Sequence, residues 1–130
     1  MKTKSLLIII ACLFVGMKTA AQTFTIDNIQ YKVSEDSHVG VTAYTGTSTY
    51  VDIPDKVTYN GSTYTVTQIN GRAFQNKNLY SVTLPTTLEK IYSYAFQGNK
   101  MSDIIIPAKV NYVGEYAFKD CYNLKELYWY

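Results

Sequence analysis

Residues that could do chemistry are few in this chain, and they are dispersed. Ten carboxylates, one histidine and two cysteines are present. Nucleophilic catalysis needs a base beside the nucleophile, and a zinc site needs His or Cys ligands at short spacing. No G-x-S-x-G, H-E-x-x-H or C-x-x-C run occurs, and no Gly-rich phosphate loop. Asp52, Asp55, Glu89, Asp103, Glu115 and Glu126 form no paired motif and read as solvated strand and turn positions. His38 stands alone, with Glu35 and Asp36 beside it as a polar turn. Cys121 lies far in sequence from that base and close to an apolar Phe, so it reads as a small buried residue. Covalent pairing between chains is the alternative. The expectation is a non-catalytic protein without cofactor or metal.

Tyrosine is the residue in excess. All 13 tyrosines lie beyond Gln22. Tyr presents a broad rigid face and a hydroxyl, and it is enriched in binding hot spots. It also suits half-buried strands. The two readings separate only once strands and faces are assigned.

The elements that place these side chains come from an internal repeat. Ala-Phe recurs at Ala73-Phe74, Ala95-Phe96 and Ala117-Phe118, and Pro85 and Pro107 keep the same step of 22 residues. Residues 79–100 read LYSVTLPTTLEKIYSYAFQGNK and residues 101–122 read MSDIIIPAKVNYVGEYAFKDCY. Superposed, they match Leu79 with Met101, Val82 with Ile104, Leu84 with Ile106, Leu88 with Val110, and Ile91 with Val113. A partial unit, 123–130, puts Leu124, Leu127 and Trp129 in the columns of Leu79, Val82 and Leu84. An earlier unit, 50–78, carries an insert at 59–67, where Asn60-Gly61 between Thr/Tyr/Val runs signals a β-hairpin.

Each unit alternates V-x-L along a short strand that Pro then ends, and a second half turns inward through L-x-x-I-x-x-x-A-F. The second half predicts a short strand and a helical turn. One unit cannot bury both of its sides alone, so the units must stack, with parallel strands about 4.8 Å apart in one continuous sheet. The expected core is Phe74, Leu79, Val82, Leu84, Leu88, Ile91, Phe96, Met101, Ile104, Ile106, Val110, Val113, Phe118, Leu124, Leu127 and Trp129. Tyr80 and Tyr128 lie in strand positions between the buried ones, with Thr83, Asp103, Ile105 and Lys125 on the same open sheet face, the candidate protein-binding face. Ile105 is the most informative, because an apolar residue on an exposed strand face needs a reason. Tyr94 and Tyr116 form a column on another face. Residues 22–49 lack the repeat and read as a β cap. Within it, Asp27-Asn28 joins a hairpin and a further strand follows near Val39–Tyr44.

The pattern L-x-x-V-x-L-P-x-x-L-x-x-I-x-x-x-A-F resembles the BspA-type leucine-rich repeat over residues 50–130. The resemblance implies a strand-dominated α/β fold: a right-handed leucine-rich-repeat solenoid with a β N-terminal cap and short helical turns. It also implies a bacterial surface or secreted protein of Bacteroidetes-like origin, with protein contact or adhesion as its role. Few repeats, no C-terminal sorting domain and no C-terminal cap set this sequence apart from the larger members. That leaves open a self-associating structural protein with an uncapped C-terminal edge, or a fragment of a longer repeat adhesin. A carbohydrate-binding module is a further alternative, suggested by the aromatics alone.

The first 21 residues read as a signal peptide: Lys2 and Lys4, an apolar run Leu6 to Met17, then Thr19-Ala20-Ala21. As a helix that run spans about 18 Å, short of a bilayer core of about 30 Å, so no transmembrane anchor is expected after cleavage. Cleavage after Ala21 is the favoured reading, and a lipoprotein site at Cys12 the alternative. Loss of Lys2, Lys4 and Lys18 turns the formal charge from +2 to −1, with nine cations against ten carboxylates. No electrostatic case for nucleic acid remains.

Overall fold

The computed structural model of the chain describes residues 22–130. The signal-peptide reading and Cys12 lie outside those residues. Strand β1 (Thr23–Ile26) turns into β2 (Ile29–Glu35) at Asp27-Asn28, where φ is 49° and 63°. Two successive left-handed residues make the tight hairpin turn that Asn and Asp tolerate. β2 pairs antiparallel with β3 (His38–Tyr44). After β4 (Tyr50–Asp52), the hairpin β5 (Lys56–Tyr59) and β6 (Ser62–Ile69) turns on Asn60-Gly61 at φ 49° and 78°. Then follow β7 (Ser81–Thr83), β8 (Lys90–Ile91), β9 (Asp103–Ile106), β10 (Tyr112–Val113) and β11 (Glu126–Trp129).

Repeat-equivalent strands lie side by side and parallel. In one sheet Ile69 of β6 faces Ile91 of β8, which faces Val113 of β10. The N-terminal strands join this sheet through β3, which runs parallel to β6, giving the order β1-β2-β3-β6-β8-β10 with β5 on β6. On the other side Val51 pairs with Val82 and Ile104 with Leu127. Here the expectation of one continuous sheet is corrected. β4–β7 and β9–β11 are separate two-stranded sheets, and β7 and β9 are neighbours without strand pairing.

The expected helical turns are also corrected: the described residues contain no helix. Where the Ala-Phe segments turn, alternate N–H groups reach the next layer instead of the residue four back. Phe74 N–H donates to the Ala95 carbonyl at 2.8 Å and Phe96 N–H to the Ala117 carbonyl at 2.8 Å. Arg72, Tyr94 and Tyr116, one per layer, sit at φ near +60°, which breaks any helical run. The turns therefore form a third ladder between layers.

Between these ladders the phenylalanines form one column. Phe74 and Phe96 stack at 5.2 Å and Phe96 and Phe118 at 5.6 Å between ring centroids, with Tyr44 of β3 against Phe74 at 5.8 Å. Phe74, Leu79, Leu88, Ile91, Phe96, Met101 and Ile106 are fully buried, and Val82, Leu84, Ile104 and Val110 nearly so. Three residues expected in the core are exposed: Val113 at 37 %, Leu127 at 46 % and Trp129 at 56 %. Phe118 and Leu124 are only half-buried. All five keep their columns, but they belong to the last layer, and among the described residues no further layer covers them. Asn99 moves the other way. It is a polar residue between two layers, yet it is 2 % exposed.

Layers approach closely at Gly114, where an added Cβ would lie 2.5 Å from the Ser93 nitrogen and 2.8 Å from the Tyr92 carbonyl carbon. Backbone atoms cannot step aside as a flexible side chain can. Gly114→Ala is expected to cost about 1–3 kcal/mol, read as a lower urea midpoint at unchanged m-value.

Burial, helped by the charge of Asp27, pushes the phenol of Tyr31 up to about 12. An unfolded Tyr ionises near its ordinary value of 10, so above that pH the unfolded chain loses its proton first. The stability held by neutral Tyr31 is complete below pH 10 and drains away as the pH climbs toward 12. Urea midpoints across this window should fall more steeply for the wild type than for Tyr31→Phe. Parallel curves would remove Tyr31 from the alkaline transition.

Candidate functional site

Strand alternation builds the site. In β4, β7 and β9 the residues Val51, Val82, Ile104 and Ile106 point into the core, which leaves their neighbours outward. The outward set is Tyr50 and Asp52, Ser81 and Thr83, Asp103 and Ile105, and, on β11, Glu126 and Tyr128. All are exposed. In register, Glu126 stands beside Asp103 and Tyr128 beside Ile105, so a row of two carboxylates runs next to an apolar and aromatic row. Ile105 is 55 % exposed.

A groove of about 680 Å³ opens where β7 and β9 part. Thr83, Ile105 and Tyr130 form its rim, the core residues Val82 and Leu84 show in its floor, and Asp103 and Lys109 also line it. Its size lies within the range of ligand clefts, about 300–1,000 Å³. The structure thus brings together Thr83, Asp103 and Ile105 of the six candidate face residues, with Tyr128 adjoining. Tyr80 and Lys125 fall one residue before β7 and β11, and their N–H groups bond to Thr49 and Ser102 carbonyls. The Tyr80 ring is partly covered by Lys100 Nζ, 5.7 Å from its centroid. Those two flank the face without lining the groove.

Tyr50, Asp52, Lys109 and Tyr130 were missed from sequence. The first two follow by alternation from Val51 and could have been found. Lys109 and Tyr130 reach the groove from outside the strands, where period-two logic gives no signal.

Two phenols are tied to carboxylates. The hydrogen bond from Tyr128 to Glu126, then that carboxylate's charge, pushes the Tyr128 phenol above its ordinary value. A 3.0 Å bond from Tyr122 to Asp120 does the same for Tyr122. On the other face, Tyr94 and Tyr116 pack with ring centroids 5.2 Å apart and planes tilted by 32°, with the Arg72 guanidinium over Tyr94 and Lys119 Nζ over Tyr116, each at 5.2 Å. That column spends its ring faces on its own neighbours, which offsets its left-handed backbone.

Among the described residues the chemically capable side chains stand apart. His38 lines a shallow polar hollow with Glu35, Glu89 and Lys90. Among the described residues no three His, Cys, Asp or Glu side chains are placed to hold a metal ion. Cys121 is buried, its Sγ donates to the Phe96 carbonyl at 3.2 Å, and burial pushes its thiol up. Little thiolate is therefore present to react.

Compared with known families, residues 56–129 match the BspA type leucine-rich repeat region in six copies. The chain belongs to this BspA-type repeat family. No curated protein matches it. Among solved structures, a leucine-rich repeat protein from Bacteroides capillosus is 25 % identical, with a TM-score of 0.61, over 83 % of this chain and 98 % of that one. The pneumococcal vaccine antigen PcpA is 20 % identical with a TM-score of 0.62. That likeness covers 87 % of this chain but only 39 % of PcpA, and it speaks for the fold alone. The Bacteroides likeness sets this chain beside a bacterial leucine-rich repeat protein. No helix of the described residues is long and apolar enough to cross a membrane.

Proposed function

We propose that this BspA-type protein is a secreted or cell-surface binding module, a right-handed solenoid that contacts a protein through the outward face of β4, β7, β9 and β11 and performs no catalysis. One observation carries the reading: Ile105 stands exposed in mid-strand beside a groove whose floor shows core residues. Ile105 is not alone: Tyr128 stands beside it in register, and Val82, Leu84 and Tyr130 line the same groove, and a contiguous exposed apolar patch marks an interaction site. The family membership supports a binding role, and the leading residues 1–21 support export.

The test is site-directed photo-crosslinking. A benzoylphenylalanine at Thr83 is expected to give adducts with a protein of the bacterial surface or of host matrix, and the same group at Lys32, on the N-terminal meander, none. Ile105→Ser should cut the Thr83 adduct about tenfold, the loss of one well-buried aliphatic contact. Adducts from Lys32 alone, or a Thr83 yield indifferent to Ile105→Ser, would reject this face.

A second reading has its own observation. Val113, Leu127 and Trp129 occupy core columns yet are exposed, and the outer edge of β11 pairs with no strand among the described residues. A second copy of the chain, or further repeats of a longer one, would cover them alike. Self-association predicts a mass that rises with concentration in light scattering, and a constant monomer mass would dismiss it.

A further inference from the structure

We infer that the outward strand face recognises an extended cationic peptide segment, with Lys or Arg at one position and an aliphatic residue two further on. This rests on that face being the binding face, and it names the partner's chemistry. β4, β7, β9 and β11 together carry Asp52, Asp103 and Glu126 and contain no lysine or arginine, so the strand positions themselves are acidic, with Lys109 on the groove and Lys125 just before β11 as the flanking cations. The charge is also ordered. Asp103 and Glu126 are side by side in register, and two residues along the same strands Ile105 and Tyr128 are side by side. Two residues along a strand are about 6.6 Å, the spacing between side chains i and i+2 on one side of an extended peptide. A segment lying along β9 therefore sets its cation between the two carboxylates as its aliphatic side chain reaches Ile105 and the groove.

Part of the acid pair is already oriented. Ser102 Oγ donates to Asp103 at 2.8 Å and the Tyr128 hydroxyl to Glu126, so both carboxylates are held near the strand face. Both remain exposed, and exposed charges are screened by salt. The apolar contact must then supply the affinity, and the carboxylates the choice of sign.

The test uses three fluorescein-labelled heptapeptides and anisotropy at low salt. The first is Thr-Lys-Thr-Leu-Thr-Lys-Thr, the second replaces both Lys by Glu, and the third replaces Leu by Ser. The Lys-Leu peptide is expected to bind about tenfold or more tightly than the Glu-Leu peptide, because charge reversal turns two attractions into repulsions. The Lys-Ser peptide should bind more weakly than Lys-Leu. In the double variant Asp103→Asn/Glu126→Gln the preference for Lys over Glu should shrink to about twofold or less, since the sign-selecting charges are gone. Ile105→Ser should weaken the Lys-Leu peptide and leave the Lys-Ser peptide unchanged. All substituted positions are exposed, and unchanged urea midpoints verify that the variants fold.

Equal binding of the Lys and Glu peptides would overturn the inference, as would a preference that survives the double variant. No binding of the Lys-Leu peptide at about 1 mM, the weak end of ordinary recognition, overturns it too. Thr83 crosslinks that persist in any of these cases keep the face and discard only the partner's chemistry.

Discussion

Phe96→Ala is expected to remove about 3–5 kcal/mol of stability, which few small repeat proteins survive at growth temperature. Phe96 is fully buried and lies between two rings, 5.2 Å from Phe74 and 5.6 Å from Phe118, both within 7° of parallel. Removing it empties the middle of the column and strips one ring face from each neighbour. The void cannot close easily, because backbone bonds join the layers on either side: Phe74 N–H to Ala95 and Phe96 N–H to Ala117. Phe118→Ala is the informative comparison. Phe118 is half-buried with a stacking partner on one side only, so its loss should cost clearly less. Urea unfolding of both variants would check the order. Equal costs would mean that layers contribute independently, against nearest-neighbour coupling.

Asn99→Ala is expected to cost about 4 kcal/mol, more than the few atoms removed would suggest. Asn99 Nδ2 donates to the carbonyls of Phe74 and Phe96 at 2.7 and 2.8 Å, and its Oδ1 accepts from the N–H groups of Leu79 and Lys77 at 3.0 and 3.2 Å. One amide thus ties the Ala-Phe turns of two layers to the chain entering β7. Truncation leaves the Leu79 N–H and the Phe74 carbonyl without these partners, each at a cost of about 1–3 kcal/mol, whereas the Phe96 carbonyl keeps the Cys121 thiol. Asn99→Asp keeps an acceptor but aims a carboxylate at two carbonyl oxygens. Its stability should fall as the pH rises through the range in which that carboxyl ionises. A flat pH profile for Asn99→Asp would show that water, and not the amide, serves these groups. In the next layer the equivalent position holds Cys121, whose Sγ reaches the same Phe96 carbonyl. The thiol there is a weaker form of the same tie.

How far the site could be read in advance follows from where each residue's partner lies. Thr83, Asp103, Ile105 and Tyr128 were placed on the open face by alternation, since side-chain parity along a strand needs no partner to define it. Tyr80 and Lys125 precede their strands and share the parity of the core-column residues Val82 and Leu127, so alternation gives no ground for that face. Asn99 gives no signal in the sequence, because nothing nearby shows the four backbone groups that it serves.

What the sequence determined by itself is the layer. Its 22-residue step put like residues in register, and burial of Val82 and Ile104 in one column follows from period and polarity alone. Turns at Asp27-Asn28 and Asn60-Gly61 were legible too, because their left-handed backbone is a local preference of those residues. Tertiary structure alone decided which hydrogen-bond partners won. The Ala-Phe segments gave up helix for bonds to the adjoining layer, β7 and β9 parted to open the groove, and Val113, Leu127 and Trp129 stayed in water. Each of these outcomes depends on what the neighbouring layer offers among the described residues, and a pattern within one repeat carries no information about that neighbour.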